Sequence, residues 1–348
     1  MAEKSLQAAA QTISPSTNAL VRLENVRKHF PVQSGFIASL LSRGKIPSVK
    51  AVDGISFSIQ KGEVFGLAGE SGSGKSTVGR LVLRLYEPPS GSVYFDGMDI
   101  CKLSEEKMRR LRSSMQLVFQ DPLASLNPRM TIGQAIQHPV SIHESNLSPA
   151  EQKKKVLAIL DAVGMTPAQN YFDLFPHQIS GGQRQRIVLA RAIVTNPKLI
   201  VADEPIAMAD VSVRALLLDL MMKLKKEFDL TYLFITHDLA TAKYVCDRIG
   251  IMYLGKMCEI GPLEDVYRHP LHPYTRALLD AVPVPDPLYR RAEPMPAGEI
   301  PSAINPPPGC HFHPRCPLAQ ERCSQEEPLL RELRPAHLVA CHFAEKYT

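Results

Sequence analysis

The 348-residue chain contains no apolar run near the ~18 to 20 residues that a bilayer-spanning helix requires. Any membrane role must therefore pass through a partner. Residues 1–18 are polar and rich in Ser, Ala and Gln. They lack the apolar core of a secretory signal, and we expect a mobile tail in the cytoplasm. Charge of one sign is also scarce: the formal net charge of +5 is small for this length and does not separate a nucleic acid from an anionic membrane surface as neighbour. The chain has no dense basic arm, which argues against a nucleic-acid reader. What remains, 45% apolar and 22% charged residues, is the composition of a globular protein that can bury a core in two or three domains or subdomains.

Against this plain background one stretch is specific. Gly69-Glu70-Ser71-Gly72-Ser73-Gly74-Lys75-Ser76-Thr77 fits the G-x-x-x-x-G-K-[ST] phosphate loop at every specified position. It follows the apolar run 63–68, suited to a buried strand, and precedes 78–85, which is apolar at helical spacing. In that context the glycines let backbone N–H groups turn inward around phosphates, and the helix adds its positive end. Lys75 is expected on the β- and γ-phosphates and Ser76 on Mg²⁺, so the ligand is a nucleoside triphosphate.

The rest of the chain reads as an α/β core interrupted by an insertion. Segments 20–26, 52–59 and 92–95 alternate apolar and polar residues, as antiparallel strands do. From about Leu103 to 187 the pattern is helical, with a capping box at Ser148-Pro149-Ala150-Glu151, one apolar face at Val156, Ile159, Leu160 and Val163, and Gly164 as the stop. Apolar strands return at 199–202, 232–235 and 249–253, with long helices between them. Beyond Pro262 proline accumulates, including Pro306, Pro307 and Pro308, which disfavours helix and central strand and suggests a separate appendage.

Two further motifs acquire meaning beside the phosphate loop. The strand 199–202 ends in Asp203-Glu204; the first carboxylate is placed to hold Mg²⁺ and the second to polarise an attacking water. His237 follows the next strand, where a lone histidine is more often structural than chemical, so its role depends on the rest of the set. Ser180-Gly181-Gly182-Gln183 opens the helical stretch 187–194. It is either an ordinary serine cap or a second anion site at a helix N-terminus, and one triphosphate needs only one such site. The economical resolution is that it serves the nucleotide of a neighbouring subunit.

Taken together these motifs resemble an ATP-binding-cassette (ABC) ATPase. Ile179-Ser180-Gly181-Gly182-Gln183 is similar to the signature loop, Phe119-Gln120-Asp121-Pro122 to the Q-loop, and Phe30 to the aromatic that stacks on adenine. More narrowly, 49–54, 118–129, His272-Pro273-Tyr274 and Pro306-Pro307-Pro308-Gly309-Cys310 resemble the second, F-type, ATPase subunit of bacterial oligopeptide and dipeptide importers, over residues 20–341. The resemblance implies an ABC-type P-loop core over residues 19–265, with an antiparallel β subdomain and a helical subdomain at about 103–187, followed by an importer-type C-terminal domain at 266–348. It also implies Mg²⁺ held by Ser76, Gln120 and Asp203, Glu204 and His237 as catalytic residues, and Ser180, Gly181, Gly182, Gln183 and the D-loop Asp210 facing a partner's ATP. The implied partners are a second, D-type ATPase, two membrane permeases and an external peptide-binding protein, with no nucleic acid. The implied location is peripheral, on the cytoplasmic face of the inner membrane, and Gln120 sits where the insertion would report nucleotide state to a permease. A cassette for another small solute, or a catalytically weak partner, are the alternatives.

One departure stands out. Where the family pattern is close to Thr-Ser-Ala-Leu-Asp, the chain reads Ile206-Ala207-Met208-Ala209-Asp210. A hydroxyl and a packing leucine are missing, which implies slower hydrolysis at one composite site, while Asp210 is expected to cap the following helix. Finally, Cys310, Cys316, Cys323 and Cys341 gather near the C-terminus at spacings C-x₅-C-x₆-C-x₁₇-C. Outside an oxidising compartment such clustering favours a metal over disulfides, but the spacings match neither the C-x₂-C zinc pattern nor the common ferredoxin runs. Zn²⁺, an iron–sulfur cluster and free thiols stay open on spacing, with His311 and His313 as alternative ligands. The resemblance implies a [4Fe-4S] cluster.

Overall fold

A computed structural model describes residues 18–32, 47–207, 209–282 and 299–347. The expected tail and Met208 fall outside the described residues. Two long strands, β1 (Ala19–Pro31) and β2 (Ser48–Gln60), pair antiparallel and lead into β3 (Val64–Ala68), the phosphate loop and the helix Lys75–Val82. After that helix β4 (Ser90–Phe95) and β5 (Met98–Asp99) complete a four-stranded sheet ordered β2-β1-β4-β5. Then come β6 (Met115–Val118), a helical insertion, β7 (Leu199–Asp203), β8 (Thr231–Thr236), β9 (Arg248–Tyr253) and β10 (Lys256–Pro262). The last strands, β11 (Arg331–Arg334) and β12 (His337–Val339), extend the second sheet to eight, ordered β11-β12-β10-β9-β3-β8-β7-β6.

The central strands read as continuous apolar runs because both faces are covered. Their side chains divide with period two. Val64 and Ala68 of β3, Ile200 and Ala202 of β7, and Tyr232 and Phe234 of β8 join a core with Ile136, Val156 and Ile187 of the insertion helices. Phe65, Leu67, Leu199, Val201, Leu233 and Ile235 face the other way, onto Leu23, Ile55 and Phe57 of the antiparallel sheet. The parallel strands β9, β3, β8, β7 and β6 thus end together at one edge.

Two expectations change. The region read as helical from about Leu103 contains β6, which pairs parallel with β7 from Met115–Leu199 to Val118–Ala202. Four residues are too few for a period to emerge from sequence. The capping box at Ser148 and Glu151 forms as read, and the Thr131–Gln134 pair adds another.

The proline-rich C-terminal segment, expected to be a separate appendage, continues the core sheet through Glu259–Val339 and Ile260–Leu338 pairing. Prolines 306–308 precede these strands, and Pro335 lies in the turn between them, so none removes a ladder donor. Glu259, fully buried, fastens the segment: it accepts bonds from Leu271 N (2.8 Å), His272 N (2.9 Å) and His337 Nε2 (2.7 Å). Burial holds the neighbouring His272 down at about 4, and its neutral Nδ1 accepts from Tyr274 N at 3.0 Å. Glu259→Ala leaves three donors without this acceptor and is expected to cost about 3–5 kcal/mol, read as a lower urea midpoint. A change below about 1 kcal/mol would show that the anchor contributes no more than an average contact.

Candidate nucleotide site

The phosphate loop is shaped by backbone that only glycine supplies. Gly69 and Gly74 have φ of +148° and +106°. A Cβ would lie 2.1 Å from Met252 O at the first and 1.9 Å from Ala51 O at the second. Gly74 also occupies the N-cap of the helix Lys75–Val82 without a side-chain cap bond, so the first-turn N–H groups face the loop. Ser71 and Gly72 are exposed at the tip, Ser73 is buried beneath it, and Thr77 is half-buried in the first helical turn. Lys75 folds into the loop: its Nζ donates to Gly69 O and Glu70 O, both at 2.8 Å. Burial pulls this ammonium below its usual range, against the opposing pull of Glu204, Asp203 and Glu70. A cation held mainly by neutral carbonyls in a glycine-lined cradle is a receptor for an anion.

The carboxylates arrive from the neighbouring strand ends. Asp203 closes β7, and its Oδ1 accepts from Ser76 Oγ at 2.9 Å. Burial raises its carboxyl above the usual range, opposed by that hydrogen bond. Glu204 is the next residue, in the left-handed region with φ of +49°, and its N–H donates to Ile235 O at 3.0 Å. Its carboxylate is held on both oxygens, by Gln120 Nε2 at 3.0 Å and by His237 Nδ1 at 2.8 Å. The sequence reading thus named five residues that the fold brings together around one strand edge, as the pair Ser76–Asp203 and the trio Gln120–Glu204–His237. A hydroxyl, a carboxylate and an amide oxygen form the hard donor set that Mg²⁺ takes, so Ser76, Asp203 and Gln120 fit that ion.

The remaining candidates lie further out. Phe30, half-buried near the end of β1, packs edge-on against Tyr86 with centroids 5.3 Å apart, and Arg80 of the phosphate-loop helix donates to Tyr86 Oη at 3.2 Å. Ser180 caps the helix Gly181–Ile193 through a reciprocal box with Gln183, the two bonds being 3.3 and 2.9 Å. Gln185 of that helix donates to Pro205 O, which ties the signature segment to the loop after Glu204. Asp210 takes the N-cap position of the helix Val211–Glu227 but makes no side-chain cap bond, contrary to expectation. The reason is local, because its own carbonyl already accepts from Val213 N at 2.8 Å.

The four C-terminal cysteines converge. Cys310, Cys316, Cys323 and Cys341 line one cavity of about 20 Å³ with Phe312, Leu318 and Phe343. Burial pushes the Cys310 thiol up to about 12 and Cys316 to about 11, and the neighbouring cysteines add to both shifts. A compensating cation would reverse that penalty. Among the described residues no three His, Cys, Asp or Glu are grouped to hold a metal ion. His313 lines the cavity; His311 instead directs Nδ1 to Leu254 O at 2.9 Å. Sequence reasoning missed Arg315, whose guanidinium reaches the phosphate loop at Glu70, and the buried Glu259 and His337. No spacing or motif marks any of the three.

Comparison with known proteins places this geometry. The family model for ABC transporters matches residues 52–207, and the model for the oligopeptide/dipeptide transporter C-terminal region matches 258–323. The oligopeptide transport ATP-binding protein AppF of Bacillus subtilis is 48% identical over 326 residues, covering 93% of this chain and 97% of that protein. The chain belongs to the ABC ATPases of the oligopeptide/dipeptide transporter family. A putative oligopeptide transport ATP-binding protein, YkfD, of the same organism is 50% identical over 86% of this chain and 91% of its own length. Among solved structures, the dimeric ATP-binding cassette MJ0796 bound to ADP and Pi superposes with a TM-score of 0.60 at 28% identity, covering 70% of this chain and 98% of that one. The cassette cbiO1 of Clostridium perfringens gives 0.61 at 27% identity, covering 72% and 91%. The mixed α/β cassette fold and the ATPase class expected from sequence both hold, and no helix among the described residues is long and apolar enough to cross a membrane.

Two glycines separate a crowded loop position from an open helix N-terminus. Gly74→Ala should lower the affinity for a fluorescent ATP analogue at least about tenfold, because backbone must move to admit the methyl group. At Gly181 nothing lies within 4 Å of an added Cβ, so Gly181→Ala should leave both affinity and stability of the single chain intact, helix propensity being up to about 1 kcal/mol in its favour. Parallel titrations and unfolding curves of the two variants check this.

Proposed function

We infer that the protein is the ATP-binding and ATP-hydrolysing subunit that energises peptide import by a membrane ABC transporter. The observation that carries the reading is Glu204, held between Gln120 and His237 beside the Ser76–Asp203 pair and the phosphate loop. In this reading residues Gly69 to Thr77 bind the phosphates, Lys75 compensates their charge, and Phe30 stacks on adenine. Ser76, Gln120 and Asp203 would hold Mg²⁺, which would supply charge neutralisation at the phosphates. Glu204 accepts a proton from the attacking water, while His237, more than half exposed at the side chain, turns from Glu204 to the γ-phosphate.

Ser180, Gly181, Gly182, Gln183 and Asp210 complete the nucleotide site of a second ATPase subunit in a head-to-tail pair. Closure of that pair drives two permease subunits, fed by an external peptide-binding protein, from the cytoplasmic face of the membrane. Support comes from the signature helix N-terminus and from the relatives named for oligopeptide transport. Ala207 and Ala209, with neither a hydroxyl nor a leucine side chain, favour slower turnover at one composite site.

The cysteines carry a finer proposal, a structural [4Fe-4S] cluster on Cys310, Cys316, Cys323 and Cys341. What supports it is that the four thiols line one cavity, as the ligands of a single group must. The cluster would supply metal–thiolate bonds to a segment short of helix and sheet bonds.

Glu204→Gln should retain ATP and trap a closed pair, with steady-state hydrolysis reduced by about 10² or more, since proton acceptance is lost while Asp203 remains. Unchanged hydrolysis in the assembled complex would remove Glu204 from its role. Protein purified without oxygen should be brown, with near-stoichiometric iron and acid-labile sulfide; a colourless protein with one zinc would replace the cluster with that ion.

A further inference from the structure

The phosphate loop is tied to the C-terminal segment at its first variable residue. Arg315 donates from Nη1 to Glu70 Oε2 at 2.9 Å and from Nη2 to Glu70 Oε1 at 3.2 Å, a two-pronged pair in which the arginine side chain is only 8% exposed. Such a fork fixes orientation as well as distance. The Glu70 backbone is held from the same side, its N–H donating to Tyr274 Oη at 2.8 Å, while its carbonyl receives Lys75 Nζ. Arg315 Nε is buried without an acceptor, so the guanidinium is compensated chiefly through its two terminal nitrogens. Arg315 lies between Cys310 and Cys316, and Phe312, which lines the cysteine cavity, packs on Tyr253 and Tyr274 at centroid distances of 5.4 and 5.3 Å.

We propose that Glu70, Arg315 and Tyr274 are positioning residues that couple the four-cysteine cavity to the phosphate loop, so that the state of the cysteines sets nucleotide affinity and bound nucleotide shields the cysteines. The inference rests on the nucleotide reading of the loop but on no particular occupant of the cavity. A rigid loop presents its N–H groups to the phosphates in one arrangement. Loosening the segment 310–316 releases the Glu70 peptide, on which Lys75 rests. Such coupling is reciprocal in direction, so nucleotide that favours the braced loop also disfavours the opening that exposes the thiols.

The test uses the full chain, a fluorescent ADP analogue with Mg²⁺, and N-ethylmaleimide as thiol probe. Saturating nucleotide should slow alkylation of Cys310 and Cys316 at least threefold, mapped by peptide mass spectrometry against Cys101 as internal reference. Glu70→Gln and Tyr274→Phe conserve shape and alter one charge or one hydroxyl. Each should weaken nucleotide binding at least threefold and reduce the protection, and Arg315→Lys should fall between Arg315→Gln and the unaltered chain. Equal alkylation rates with and without bound nucleotide, or full protection in both conservative variants, would overturn the coupling while leaving nucleotide binding in place. Failure of the unaltered chain to bind the analogue would overturn the nucleotide reading itself, and the coupling with it.

Discussion

The buried ammonium of Lys75 is the constraint on which the rest of the site depends. Lys75 must be brought out of water to reach phosphates, and it rests on carbonyl oxygens of its own loop. Removing a charge from water costs far more than a hydrogen bond returns, so the surroundings have to be assembled beforehand. The glycines at 69 and 74 allow the loop to pack on the carbonyls of Met252 and Ala51 at distances no side chain tolerates. Asp203, Glu204 and Glu70 add negative charge around it, which opposes the effect of burial.

Strand order performs the assembly. Because β3, β8, β7 and β6 run parallel and adjacent, the residues at their carboxyl ends meet on one edge although Gly69, Gln120, Asp203 and His237 are far apart in sequence. Glu204 shows what this edge demands. Its left-handed backbone is unfavourable for a residue with a side chain, and the bonds to Ile235, Gln120 and His237 hold it there.

Legibility in the sequence followed the range over which a signal acts. The phosphate loop, the carboxylate-ended strand and the capping box at Ser148 are contiguous patterns, each produced by neighbours along the chain, and each was readable. The strand Met115–Val118 was not, because a four-residue run carries less than one decisive period. Asp210 was misjudged for a related reason: residue type predicts a cap, but which oxygen satisfies Val213 N is decided by the local dihedrals. The four cysteines were legible as a group, yet that they share one cavity depends on how the segment docks.

The docking itself explains why a segment rich in proline belongs to the catalytic architecture. Prolines prevent it from forming much regular structure internally, so its order has to be taken from outside. The core supplies that order at three places: the free edge of β10, which accepts β12; the buried carboxylate of Glu259; and the phosphate loop, through Glu70. Two of these lie on one strand, β10. The third is a loop whose shape determines nucleotide affinity, and there the dependence runs both ways, since whatever orders the segment also braces the loop.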